Sequence, residues 1–165
     1  MVVFRCTRPL AKRFGLRLEE SDTTSTGVLG DWYATRLNVG SRRLVLCLSE
    51  RSLLPVLMPA RNNEFPGRFA EHLVLLLRFL DIPQALVERE AGEAHPPAFA
   101  PTRSKQILGS LNDFGRCARF LIRDSPNPCT PLEANRKLVE MPSKPLDYGF
   151  PAEAARALFD ARARE

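Results

Sequence analysis

Residues 31–49 read DWYATRLNVGSRRLVLCLS, and this stretch decides the fold. Two runs suited to strands, WYATRLNV and RRLVLCLS, are separated only by Gly40 and Ser41. That is a two-residue hairpin with glycine at its first turn position. The turn pairs Val39 with Arg42, Leu37 with Leu44, Thr35 with Leu46 and Tyr33 with Leu48. Side chains alternate along a strand, so one face carries Tyr33, Leu37, Val39, Leu44, Leu46 and Leu48, an apolar surface fit for a core. The other carries Trp32, Ala34, Arg36, Asn38, Arg43, Val45 and Cys47. A face with Trp32, Arg36 and Arg43 suits stacking of a base or capture of an anion. The competing reading covers it with a helix and makes Trp32 a packing residue.

The second informative stretch is RSKQILGSLNDFGRCARFLIR, residues 103–123. A helix over 104–124 sorts it into two faces at 100° per residue. Ile107, Leu108, Leu111, Phe114, Ala118, Leu121 and Ile122 fall on one side. Lys105, Asn112, Arg116, Arg119 and Arg123 form a ridge on the other. Ser104 is placed to cap its start, and Asp113 stands three residues before Arg116, the spacing of a helical ion pair. The ridge is a candidate grip for phosphates, with Arg36 and Arg43 as a second contact and Trp32 beside them. The competing reading makes it a solvated or protein-facing helix face.

Working outward, 2–6 read as a short buried strand. Thr7 then caps a helix that has Pro9 in its first turn and runs to Leu16. The polar stretch EESDTTSTGVLG (19–30) is a loop, without the GxxxxGK[ST] spacing of a phosphate loop. A third strand spans 53–58. A helix follows over 63–80, its stripe formed by Phe69, Leu73, Leu76, Leu77 and Leu80, and a short one over 84–91. The connector 92–101 has room for an edge strand near Phe99. Beyond Asp124, Pro126, Pro128, Pro131, Pro142, Pro145 and Pro151 mark an extended arm with short helices at 132–139 and 152–161.

The bulk numbers agree with one domain. The chain has 165 residues, 44% hydrophobic and 26% charged, with a net charge of +5, which is ordinary for a globular protein. No apolar run approaches a membrane span, and Arg5 and Arg8 interrupt any leader-like core, so the expected location is the cytoplasm, away from membranes. Arginine outnumbers lysine by 20 to four. That excess suits phosphate recognition, and a GC-rich genome produces it without function. Cys6, Cys47, Cys117 and Cys129 lack the close pairs of a zinc site, and neither metal nor cofactor is expected.

Four segments, FRCTRPLAKRFG, LGDWYATRLNVGSRRLVLCLSERS, RSKQILGSLNDF and EMPSKPLDYGFP, together resemble a bacterial family of unknown function. The domain of that family is similar to the N-terminal part of plasmid open-reading-frame-three-like proteins. The resemblance implies an association with mobile-element genes and no particular chemistry. The plasmid proteins have a further C-terminal domain that this chain is expected to lack.

These readings converge on an α+β fold: a small, mainly antiparallel sheet with a β-hairpin, packed by two long helices, plus a proline-rich C-terminal arm. Residues 1–124 form the core domain and 125–165 the arm, packed on it. The expected function is a non-enzymatic binding or regulatory module contacting nucleic acid through the basic helix face. One alternative is a protein-interaction or self-association module acting through the arm. Another is a metal-independent hydrolase or nuclease, which requires His72 and His95 to converge. No GxSxG, HExxH or dinucleotide fingerprint supports an enzyme.

Overall fold

The computed structural model describes residues 1–61 and 65–165. Its elements run β1 (Val2–Cys6), α1 (Arg8–Phe14), β2 (Trp32–Val39), β3 (Arg42–Ser49), β4 (Pro55–Pro59), α2 (Phe69–Phe79), α3 (Gln84–Glu93), β5 (Pro97–Pro101), α4 (Lys105–Arg119), α5 (Pro131–Leu138) and α6 (Pro151–Ala163). A π turn, Phe120–Asp124, prolongs α4. The chain is a mixed α/β structure built on one five-stranded sheet of order β4-β3-β2-β1-β5.

The β2–β3 hairpin pairs Leu37 with Leu44 and Tyr33 with Leu48, as the Gly40-Ser41 turn dictates. Gly40 sits at φ 60°, a conformation glycine adopts without the Cβ penalty. β4 adds antiparallel to β3. The sheet is nevertheless mixed, because β1 lies parallel to both β2 and β5. The mainly antiparallel expectation therefore holds for only half of the pairings. The loop 19–30 and α1 form a crossover that returns β2 alongside β1, and a tight turn cannot make such a connection.

Both faces of the sheet are covered. Trp32, Ala34, Val45, Cys47, Val56 and Met58 meet Phe69, Leu73, Leu76 and Leu77 of α2 on one side. Tyr33, Leu37, Leu44, Leu46 and Leu48 meet Ile107, Leu111, Phe114 and Ala118 of α4 on the other. Several sequence boundaries move for local reasons. Helix α1 stops at Phe14, where Gly15 takes the left-handed conformation, and Thr7 holds the N-cap position as expected but makes no side-chain cap bond, its hydroxyl pairing with that of Thr35 at 3.1 Å. Strand β4 begins at Pro55, because Leu53 at φ 56° lies in a tight turn held by the Ser49 and Ser52 hydroxyls. Helix α2 begins only at Phe69, since residues 65–68 form a turn. The expected helical residues Asn63 and Glu64 lie outside the described residues.

The segment after Asp124 is built into the molecule. Thr130 and Glu133 form a reciprocal capping box at the start of α5, which satisfies two otherwise orphaned backbone donors. Asn135, buried on α5, accepts the Leu57 backbone N–H at 3.2 Å. It thereby occupies a donor on the outer edge of β4. Ala152, Ala155 and Phe159 of α6 are buried in the α2-side core, and Arg156 donates to the Leu80 carbonyl at 3.1 Å.

Candidate functional site

Strand β2 outruns its neighbour. Its pairing with β1 ends at Cys6–Ala34, whereas the hairpin continues to Val39 and Arg42. Beyond Ala34 the Trp32-side face of the hairpin therefore carries the polar residues Arg36, Asn38 and Arg43. A cleft opens there between the hairpin tip, the end of α1 and the start of α2. Its larger part, about 530 Å³, is lined by Arg13, Arg42, Arg43, Arg61 and Arg68 with Ser41, Leu44, Pro59, Ala60 and Pro131. A smaller recess of about 210 Å³ adjoins it. Arg13, Phe14, Arg36, Asn38, Arg43, Leu44 and Ala60 line this recess. Six arginines thus surround one concavity, and no carboxylate is among the described lining residues.

A concave, low-dielectric wall with charges of one sign focuses the field and concentrates counter-ions. Guanidinium groups add forked donors matched to phosphate oxygens. Arg36, Arg42 and Arg43 are held on paired strands. Arg68 precedes α2 and bonds Glu71 at 3.0 Å. Arg13 and Arg43 line both parts of the cleft. The chemistry available is electrostatic capture of an anion.

Of the residues singled out from sequence, Arg36 and Arg43 lie in this cleft. Trp32 does not. It is buried at 2% exposure and packs edge-on against Phe69 with ring centroids 4.9 Å apart, so it has no face to offer a base. The expectation of a stacking Trp32 is corrected by α2, which covers that end of the sheet. Lys105, Asn112, Arg116 and Arg123 are exposed along α4 and its π turn. Two ridge charges are already matched, with Arg116 paired to Asp113 and Arg123 paired to Asp124 at 2.9 Å. Arg119 donates to the Asn38 carbonyl at 3.4 Å, which ties the ridge to the hairpin beside the smaller recess. Lys105, at the opposite end of α4, stands about 21 Å away along the helix.

Sequence reasoning missed Arg13, Arg42, Arg61 and Arg68. The Arg42-Arg43 doublet next to the hairpin turn was the one local signal. The other three come together only through the tertiary fold.

Arg5 and Asp31 form a fully buried ion pair at 3.0 Å. Burial pushes the Cys6 thiol up to about 12 and raises Cys47 as well, which suppresses thiolate chemistry. His72 sits on α2, and His95 precedes β5. No group of three or more metal-binding side chains occurs among the described residues. No described helix is long and apolar enough to cross a membrane.

A family model described as a domain of unknown function (DUF6933) matches residues 3–154. No curated protein and no solved structure matches the chain.

Proposed function

The chain belongs to this family of unknown function, and we propose that it is a non-enzymatic module that binds the phosphates of a nucleic acid in the arginine cleft at the hairpin tip. One observation carries the reading: six arginines converge on a single concavity whose described lining holds no carboxylate. A solvated surface intersperses charges of both signs, and the α4 ridge does so through Asp113 and Asp124. The cleft does not. Arg119, joined to Asn38, extends the contact toward the ridge, leaving Arg116 and Arg123 a secondary role.

The test is fluorescence anisotropy of labelled single- and double-stranded RNA and DNA at about 50 and 200 mM salt. Six phosphate contacts on a single strand give a salt slope of about −4, a loss of roughly 300-fold across that range. Replacing Arg13 and Arg43 by alanine removes two contacts. The slope should fall to about −3 and the loss to roughly 50-fold. The triple reversal Arg116→Glu, Arg119→Glu, Arg123→Glu should weaken binding less than the reversal of Arg13, Arg36 and Arg43. The opposite order would move the site to the ridge. Absence of binding at the lower salt would overturn the proposal.

A further inference from the structure

The turn from α4 into α5 leaves an apolar groove of about 420 Å³ on the molecular surface. Cys117, Leu121, Leu138 and Met141 line it. Phe120 stands at its side with 53% of its surface exposed. Arg116 and Lys137 complete the lining, one on each helix. We infer that this groove receives an amphipathic helix of another protein, apolar along one stripe and flanked by carboxylates. The groove and the arginine cleft share no lining residue, and Arg116 on the groove rim is the one residue that the nucleic-acid reading also uses, in a secondary role.

The shape of the occupant follows from the walls. Both are helical, α4 with its π turn and α5, and helices spend their backbone donors and acceptors internally. An extended peptide would find no strand edge to pair with and would bury unsatisfied N–H and C=O groups. A helix brings its own backbone bonds and needs only side-chain anchors at i, i+3 and i+4 spacing. The Met141 thioether and the exposed Phe120 ring are adaptable anchors for such a stripe.

The charge of the occupant follows from the rim. Lys137 forms no ion pair among the described residues, and no carboxylate lines the groove. Arg116 shares its charge with Asp113. A second copy of this chain would bring the same cations and another net charge of +5 to the contact, and like charges facing each other oppose docking. An acidic partner meets the opposite condition.

The test uses the full chain and three fluorescein-labelled 16-residue helical peptides. One carries leucines at i, i+4 and i+7 flanked by glutamates, one carries lysines in place of the glutamates, and one is the scrambled glutamate sequence. The glutamate peptide should bind saturably and slow iodoacetamide alkylation of Cys117, while the scrambled peptide does neither. Phe120→Ala, a change at an exposed side chain, should weaken binding at least tenfold. Lys137→Glu should shift preference toward the lysine peptide, and Arg43→Glu in the separate cleft should leave glutamate-peptide binding unchanged. Each of three results overturns the inference: equal binding of the glutamate and lysine peptides, indifference to Phe120→Ala, or a dimer in sedimentation that Phe120→Ala abolishes. The last would assign the groove to a second copy.

Discussion

Replacing Asp31 by alanine tests the buried ion pair between Asp31 and Arg5. The carboxylate is fully buried, accepts from Arg5 Nε at 3.0 Å and from the Ser25 N–H at 2.8 Å, and has Arg103 at 3.9 Å. Arg5 is equally enclosed, and its second terminal nitrogen has no hydrogen-bond partner among the described residues. Removing Asp31 therefore leaves a guanidinium inside the protein without a counter-charge, a loss of about 3–5 kcal/mol. The Ser25 N–H left behind adds about 1 kcal/mol or more. At ~2.1 cal/mol/K per residue, the 165 residues have an unfolding entropy of about 0.35 kcal/mol/K. A loss of about 4 kcal/mol then lowers Tm by about 11 °C. The double variant Asp31→Ala with Arg5→Met removes the stranded charge and should recover at least half of that drop. Thermal unfolding followed by circular dichroism reads both. A shift below 3 °C in the single variant would refute the reasoning, because it would mean that water reaches the guanidinium.

Two further outcomes follow from burial. Glu90 accepts the Val28 and Leu29 N–H groups at 2.8 and 3.1 Å, and desolvation raises its pKa despite those bonds. The folded state therefore holds a proton that the unfolded state releases, so the stabilisation is full below the ordinary glutamate pKa and declines as pH rises toward the folded value. Wild type should lose Tm relative to Glu90→Gln over that interval and the offset should then level, and a pH-independent difference would contradict it. Among the thiols, half-buried Cys117 should react with iodoacetamide first in the native protein. Cys6 and Cys47, enclosed and raised in pKa, should react only on unfolding, and labelling of either at the rate of Cys117 would show the core to be open.

The hairpin was legible because its evidence is local. Gly40-Ser41 admits one turn, and the turn fixes which residues face each other. The helix over α4 was legible for the same reason, with Ser104 accepting the Ile107 N–H at 3.2 Å. The parallel placement of β1 against β2 was not, since nothing within Val2–Cys6 states its neighbour. That placement depends on the crossover and on buried partners such as Asp31, whose role as counter-ion to Arg5 spans 26 residues of sequence. Trp32 illustrates the same limit. A tryptophan and two arginines on one face of the hairpin have the composition of a binding surface. Yet α2 covers the face at Trp32 and leaves it open at Arg36 and Arg43, and no periodicity along β2 marks where the cover stops.

The mismatch between β1 and β2 is also what makes the cleft. A hairpin arm fully flanked by β1 would lie under α2 along its length and would need apolar residues where Arg36 and Asn38 stand. A long arm paired over only its first three residues with β1 leaves polar positions whose only neighbours are the ends of other elements. Those ends carry arginine: Arg13 in the last turn of α1 and Arg68 just before α2. The positive N-terminal end of the α2 dipole adds to the same field. Convergence of like charges costs stability through mutual repulsion, and neutral side chains at those positions would serve the fold without that cost. An anion seated among them offsets the repulsion, so a salt- or phosphate-dependent rise in Tm should shrink when Arg13 and Arg43 become alanine.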